Sequence, residues 1–142
     1  MKKIISFFAL MIFASIIITS CSVSYSQNIA FKKGDKWTGS YQCSNSKIDL
    51  EIYIDEVQGD IIRSRFILLG GKGEYEMIGK IKDNEFTFMG TNWIKNPGDS
   101  FVTLGLHGFY LNSPDRLIGN LISKLTFTEG NECTGFYLEK KK

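Results

Sequence analysis

From Trp37 onward the chain alternates. Apolar side chains occupy every second position, and polar or charged ones fill the places between. The clearest run is 48–57, where Ile48, Leu50, Ile52 and Ile54 stand against Asp49, Glu51, Tyr53 and Asp55. One face is buried and one is wet, the pattern of a half-buried strand. In 61–69, Ile62, Phe66 and Leu68 oppose Arg63 and Arg65. In 75–82, Tyr75, Met77, Gly79 and Ile81 oppose Glu76, Lys80 and Lys82, with Ile78 as an apolar exception on the wet side. Further strands are predicted at 37–43, 85–93, 101–111, 117–127 and 133–139, although 116–124 is apolar enough to suit a helix as well. In 101–111 the predicted inner residues are Val102, Leu104 and Leu106.

Turn chemistry separates these runs: Gln58-Gly59-Asp60, Gly70-Gly71-Lys72-Gly73, Lys82-Asp83-Asn84, Asn112-Ser113-Pro114-Asp115 and Glu129-Gly130-Asn131. The longest polar break is 94–100, centred on Pro97-Gly98. About eight short strands joined by hairpin-length connections argue an all-β domain. An up-and-down antiparallel meander closing into a barrel, in the manner of lipocalin and streptavidin, is preferred because closure removes exposed edge strands. A β-sandwich is the alternative.

The N-terminus has a different character. Met1-Lys2-Lys3 precedes an apolar run from Ile4 to Ile18 and small residues around Cys21. That is the layout of a secretory signal, with an apolar stretch short for a membrane span. Ile18-Thr19-Ser20-Cys21 has the form of a lipobox, which makes residues 1–21 a lipoprotein signal and Cys21 the lipidated residue. The rival is ordinary cleavage near Ser24-Tyr25-Ser26, giving a soluble periplasmic or secreted chain. Residues 22–34 are polar and small and are assigned to a tether, leaving 35–142 as one β-barrel domain. The expected location is the bacterial cell envelope, with the membrane reached through the lipid anchor.

Export changes the charge and the cysteine count. Without Lys2 and Lys3 the chain holds 15 basic and 15 acidic side chains, so the overall pI of 8.4 overstates its basicity. A neutral chain with interspersed signs lacks the footprint of a nucleic-acid binder, and a monomer is expected. With Cys21 lipidated or removed, Cys43 and Cys133 form an even pair in an oxidising compartment, where a disulfide is expected. They would join the end of the first strand to the start of the last. Placing 43 opposite 133 in an antiparallel pair sets Tyr41 against Gly135 and Gly39 against Tyr137, each glycine covered by an aromatic ring. However, Phe136 and Leu138 alternate out of phase with Cys133, which points to a bulge near Gly135 and a register one residue over.

These scattered features together resemble an uncharacterised family of small exported bacterial all-β domains. The residues that carry the likeness are Trp37, Gly39, Tyr41 and Cys43; Gly73 and Tyr75; Trp93, Ile94 and Pro97; Leu106 and Gly108; and Cys133, Phe136 and Leu138. The segment Phe101-Val102-Thr103-Leu104 departs from the family pattern. The resemblance implies a shared β fold and disulfide and supplies no activity. A weaker likeness, through Tyr41-Gln42-Cys43 and the glycine-rich run before Tyr75, is to lipid-anchored lysozyme inhibitors.

No catalytic or cofactor motif stands out. His107 is the lone histidine and lacks a sequence neighbour that would orient it. Glu74 and Glu76, like Asp49, Glu51 and Asp55, have the spacing of a solvated strand face, for which cross-strand ion pairing with nearby lysines is the simpler account. The 70–73 glycines lack the spacing and Lys-Ser/Thr ending of a phosphate loop. No metal ligand set and no cofactor site is expected, and an enzyme is the least favoured class. Trp93, Pro97 and Phe101 bracket the longest loop and are the candidate binding residues. The expected function is a binding module for a small apolar ligand or envelope component; the alternative is a protein-interaction module, such as a hydrolase inhibitor of the lysozyme-inhibitor type. Intact mass of the membrane fraction should show a diacyl or triacyl addition on Cys21, whereas a soluble chain beginning near Gln27 would overturn the anchor assignment.

Overall fold

The computed structural model describes residues 31–43, 46–122 and 133–142. The signal, Cys21, most of the assigned tether and residues 123–132 lie outside them. Eight strands form a closed antiparallel barrel in chain order: β1 Lys36–Cys43, β2 Ser46–Gln58, β3 Ile61–Leu68, β4 Gly73–Lys82, β5 Glu85–Lys95, β6 Gly105–Asn112, β7 Asp115–Ile122 and β8 Cys133–Lys140. The up-and-down meander is therefore the fold, and the sandwich alternative falls.

Alternation sets the two faces as expected. Leu50, Ile52, Ile54, Ile62, Phe66, Tyr75, Met77, Phe86 and Phe88 point inward and are buried, while Ile78 is exposed. The outer wall is charged, with Lys36 to Glu51 at 3.0 Å and Arg65 bridging Asp55 and Glu74, each at 3.0 Å. Cross-strand ion pairing is thus present, but the partners of Glu51 and Glu74 are Lys36 and Arg65. A polar wall around an apolar interior is the reverse of a membrane-spanning barrel.

Connections alternate between two ends. At the lower end, where β1 begins, two-residue turns join β2 to β3 and β4 to β5; Gly59, Asp83 and Asn84 adopt the positive φ that such hairpins use. The upper end carries the longer connections: a 3-10 turn at Leu69–Gly71 and the 96–104 loop. Phe31 closes the lower end. Although it falls within the stretch assigned to the tether, it is 1% exposed and its ring meets Trp37, Phe86 and Phe88 edge-on at 5.5–5.9 Å. The domain therefore starts before residue 35.

The β1–β8 seam closes the barrel. Cys43 is bonded to Cys133, and Tyr41 stands opposite Phe136 and Gly39 opposite Leu138. The register slips between Tyr41 and Cys43, so the bulge indicated by the phase of Phe136 and Leu138 is present and the unshifted pairing of Gly39 with Tyr137 is not. Aromatic cover over glycine occurs elsewhere. Phe86, Gly108, Gly119 and Phe136 form one row across four strands, and the two rings lie 6.1 Å apart. A Cβ on Gly119 would sit 2.5 Å from the Cα of Gly108, so β6 and β7 approach only because both are glycine.

The sixth strand begins at Gly105, not at residue 101. Phe101 and Val102 are exposed, so the inward alternation expected through Val102 fails there. The reason is local: the β5–β6 ladder stops at Phe88 opposite Leu106, and the main chain of Leu104 bonds to a side chain instead.

The disulfide closes a loop of 90 residues, worth on the order of 4 kcal/mol in the chain-entropy description. A small domain has about 5–15 kcal/mol in total. Cys43→Ser should therefore lower the thermal midpoint markedly, as read by circular dichroism. A midpoint unchanged by the substitution would show that the seam holds without the bond.

Candidate binding site at the upper rim

The upper half of the barrel is built on a chain of aromatic rings. Tyr41 packs against Phe66 at 6.3 Å, Phe66 stacks on Tyr75 at 4.6 Å and 13°, and Trp93 meets Tyr75 edge-on at 5.0 Å and 78°. Trp93 joins this chain because β5 bulges against β4: β5 takes three steps, from Gly90 to Trp93, where β4 takes two, from Met77 to Tyr75. The extra residue restores Trp93 to the inner face, where it is half-buried beside the core. A bulge at a barrel rim commonly re-aims a side chain in this way.

Tyr75 also fixes the loop. Its hydroxyl donates to the carbonyl of Leu104 at 3.0 Å and accepts the Leu104 N–H at 3.2 Å. Burial pushes the Tyr75 phenol well above the usual tyrosine range, the bond to Leu104 acting the other way. At the other side, Lys95 donates to the carbonyl of Gly71 at 2.7 Å, tying β5 to the 3-10 turn. Pro97 packs on the start of β4, where a Cβ at Gly73 would lie 3.1 Å from the proline ring. Gly98 donates to the Asn96 side chain at 2.9 Å, and Phe101 donates to the carbonyl of Gly98 at 3.1 Å. The loop is therefore held at several points along its length.

Of the three residues marked by the sequence, Trp93 is half in the core, Pro97 is partly buried against β4, and Phe101 is 39% exposed with its ring edge over Gly98. All three belong to one rim. Two further members were missed: Ile94, 53% exposed, and Val102, 47% exposed. Ile94 sits within the break read as polar, and Val102 within an alternating run read as strand. Three large exposed apolar side chains flanking one anchored loop form a surface that water covers poorly.

Polar and charged side chains also pair on the outer wall. Thr87 Oγ1 lies 2.9 Å from His107 Nδ1, and Glu85 lies 3.3 Å from Nε2. The nucleophile–base–acid order is superficially that of a triad. This row stands on the outer wall, where the flanking β5, β6 and β7 backbones pair with one another. Among the described residues, no group of three or more His, Cys, Asp or Glu side chains could hold a metal ion. A groove of about 330 Å³ between Asp55 and Asn92 is lined by charges already engaged, since Arg65 spans Asp55 and Glu74. The chain matches no protein-family model, no curated protein and no solved structure.

Tyr75→Phe should leave the Leu104 N–H and carbonyl without their partner, at roughly 1–3 kcal/mol, and speed amide exchange across 101–104 while the barrel persists. The pH dependence carries the sign of a raised acid. The unfolded phenol titrates near about 10 and the buried one higher, so its contribution to stability is intact below pH about 10 and fades as pH climbs toward the folded value. The phenylalanine variant should therefore lose less stability than the parent on going to strongly alkaline pH. Equal alkaline losses would show that Tyr75 is not the group responsible.

Proposed function

We propose that this domain is a non-catalytic protein-interaction module of the bacterial cell envelope that engages an envelope protein through its upper rim. The observation that carries this reading is the exposure of Ile94 at the end of β5 and of Phe101 and Val102 on the pinned loop that follows, above a barrel occupied by its own aromatic side chains. Phe31, Trp37, Phe86 and Phe88 fill the lower interior, and Tyr41, Phe66 and Tyr75 the upper. A small apolar ligand is thereby left only the half-exposed edge of Trp93 at the rim, which makes it the second reading. A hydrolase inhibitor of the lysozyme-inhibitor type is one form the interaction could take, since pre-organised inhibitor interfaces change shape little on binding.

Phe31, the first described residue, lies at the lower end of the barrel, opposite the rim. Export and lipidation remain part of this proposal.

Phe101→Asp is the cleaner probe of the rim, because an exposed substitution should change stability by no more than about 0.5 kcal/mol. It should reduce recovery of the partner from envelope extract at least tenfold, with the eluate read by native mass spectrometry. Trp93→Ala should reduce recovery too, but with a stability loss of its own because the ring packs on Tyr75. Undiminished recovery with Phe101→Asp in a folded protein would place the binding surface elsewhere, and a retained small molecule in the eluate would favour the second reading.

A further inference from the structure

Strand β5 outruns its partner. It extends to Lys95, yet its ladder with β6 covers only Glu85 to Phe88, opposite Phe109 to Leu106. On the β4 side the strand stays paired, through Gly90 to Met77, Trp93 to Tyr75 and Lys95 to Glu74. On the β6 side, among the described residues, no backbone hydrogen bond joins Met89–Lys95 to the 96–104 loop. The nearest loop residues, Thr103 and Leu104, come up against Gly90, and the main chain of Leu104 is taken by Tyr75. Above Gly90, Thr91, Asn92, Ile94 and Lys95 are all exposed. Among the described residues, the barrel thus has a split at its upper rim where one strand edge has no ladder partner. Open edges of this kind pair with an added strand.

We propose that the Thr91–Lys95 edge of β5 takes an extended segment of the partner protein as an added strand, a mode of recognition that rests on the rim reading above. The main-chain groups of the edge define the occupant as an extended polypeptide. Its side-chain pattern follows from the flanks: alternate residues would fall on Ile94 and the exposed sides of Phe101 and Val102, so the segment is apolar at every second position. Five residues of edge span about 17 Å at 3.4 Å per residue, enough for a short linear stretch. The register of β5 against β4 slips twice in this region, between Glu74 and Tyr75 and between Tyr75 and Met77. Bulges twist an edge away from flat edge-to-edge pairing, which disfavours a second copy of this rigid barrel. A single flexible segment can follow the twist.

The probe is a nine-residue peptide of alternating threonine and valine, capped by lysine at each end. It is titrated into the isotopically labelled chain from Ser22 onward, since the closed barrel is complete within residues 31–142. Amide shifts that saturate and cluster on Met89–Lys95 and 101–104 are expected. A peptide N-methylated at every second residue should bind at least tenfold more weakly. Absence of saturable shifts, shifts centred elsewhere, or equal binding of the methylated peptide would each overturn strand addition. The rim reading has its separate measure in capture with Phe101→Asp. If capture still depends on Phe101 while the peptide fails, only the strand mode falls; if capture is indifferent to Phe101, the rim itself is wrong.

Discussion

Closure brings together two strands that lie at opposite ends of the domain, and the rest of the barrel depends on how closely they meet. A Cβ at Gly39 would lie 2.9 Å from the Cα of Leu138, so β1 and β8 can approach only with glycine there. The same economy recurs at Gly108 and Gly119, where two bare backbones let the rings of Phe86 and Phe136 reach toward each other across β6 and β7. An eight-stranded barrel has an interior just wide enough for side chains to fill. Large rings over absent side chains are one way to fill it at close-packed density.

The two ends are finished differently. Phe31 seals the lower end with ring-to-ring contacts, and burial of such a side chain contributes about 1.5–3 kcal/mol. Short turns complete that end. Nearby, Tyr110 donates to Asp115 at 2.7 Å; burial and this carboxylate push its phenol up to about 12. At the upper end one buried hydroxyl, that of Tyr75, holds a loop whose apolar side chains stay in water. A rigid scaffold presenting a fixed apolar loop loses little conformational freedom on binding, and that is the physical basis of the proposal made for the rim.

Much of this was legible in the chain. Period-two alternation separates inner from outer residues wherever one face is buried, and it placed Ile78 on the wet side despite its apolar character. The phase of Phe136 and Leu138 against Cys133 carried the register slip at the seam, because a one-residue shift exchanges the faces of a strand. Trp93, Pro97 and Phe101 were recognisable as rim residues from the length of the break and the aromatics that flank it. By contrast, the row Phe86–Gly108–Gly119–Phe136 could not be read, since it joins four strands whose relative heights depend on every turn and bulge between them.

The sequence by itself determined which residues can be buried, how many strands there are, and which two cysteines are available to join them, because these depend on local periodicity and composition. Tertiary structure decided the rest. Val102 fits a strand pattern yet stands in solvent, since the hydroxyl of Tyr75 claims the main chain at Leu104 before a ladder can form. Phe31 looks like tether yet is core, since the open end of a closed barrel needs an apolar plug. Both outcomes turn on a partner distant in sequence competing for a group that local pattern would assign elsewhere, and such competition is settled only when the barrel closes.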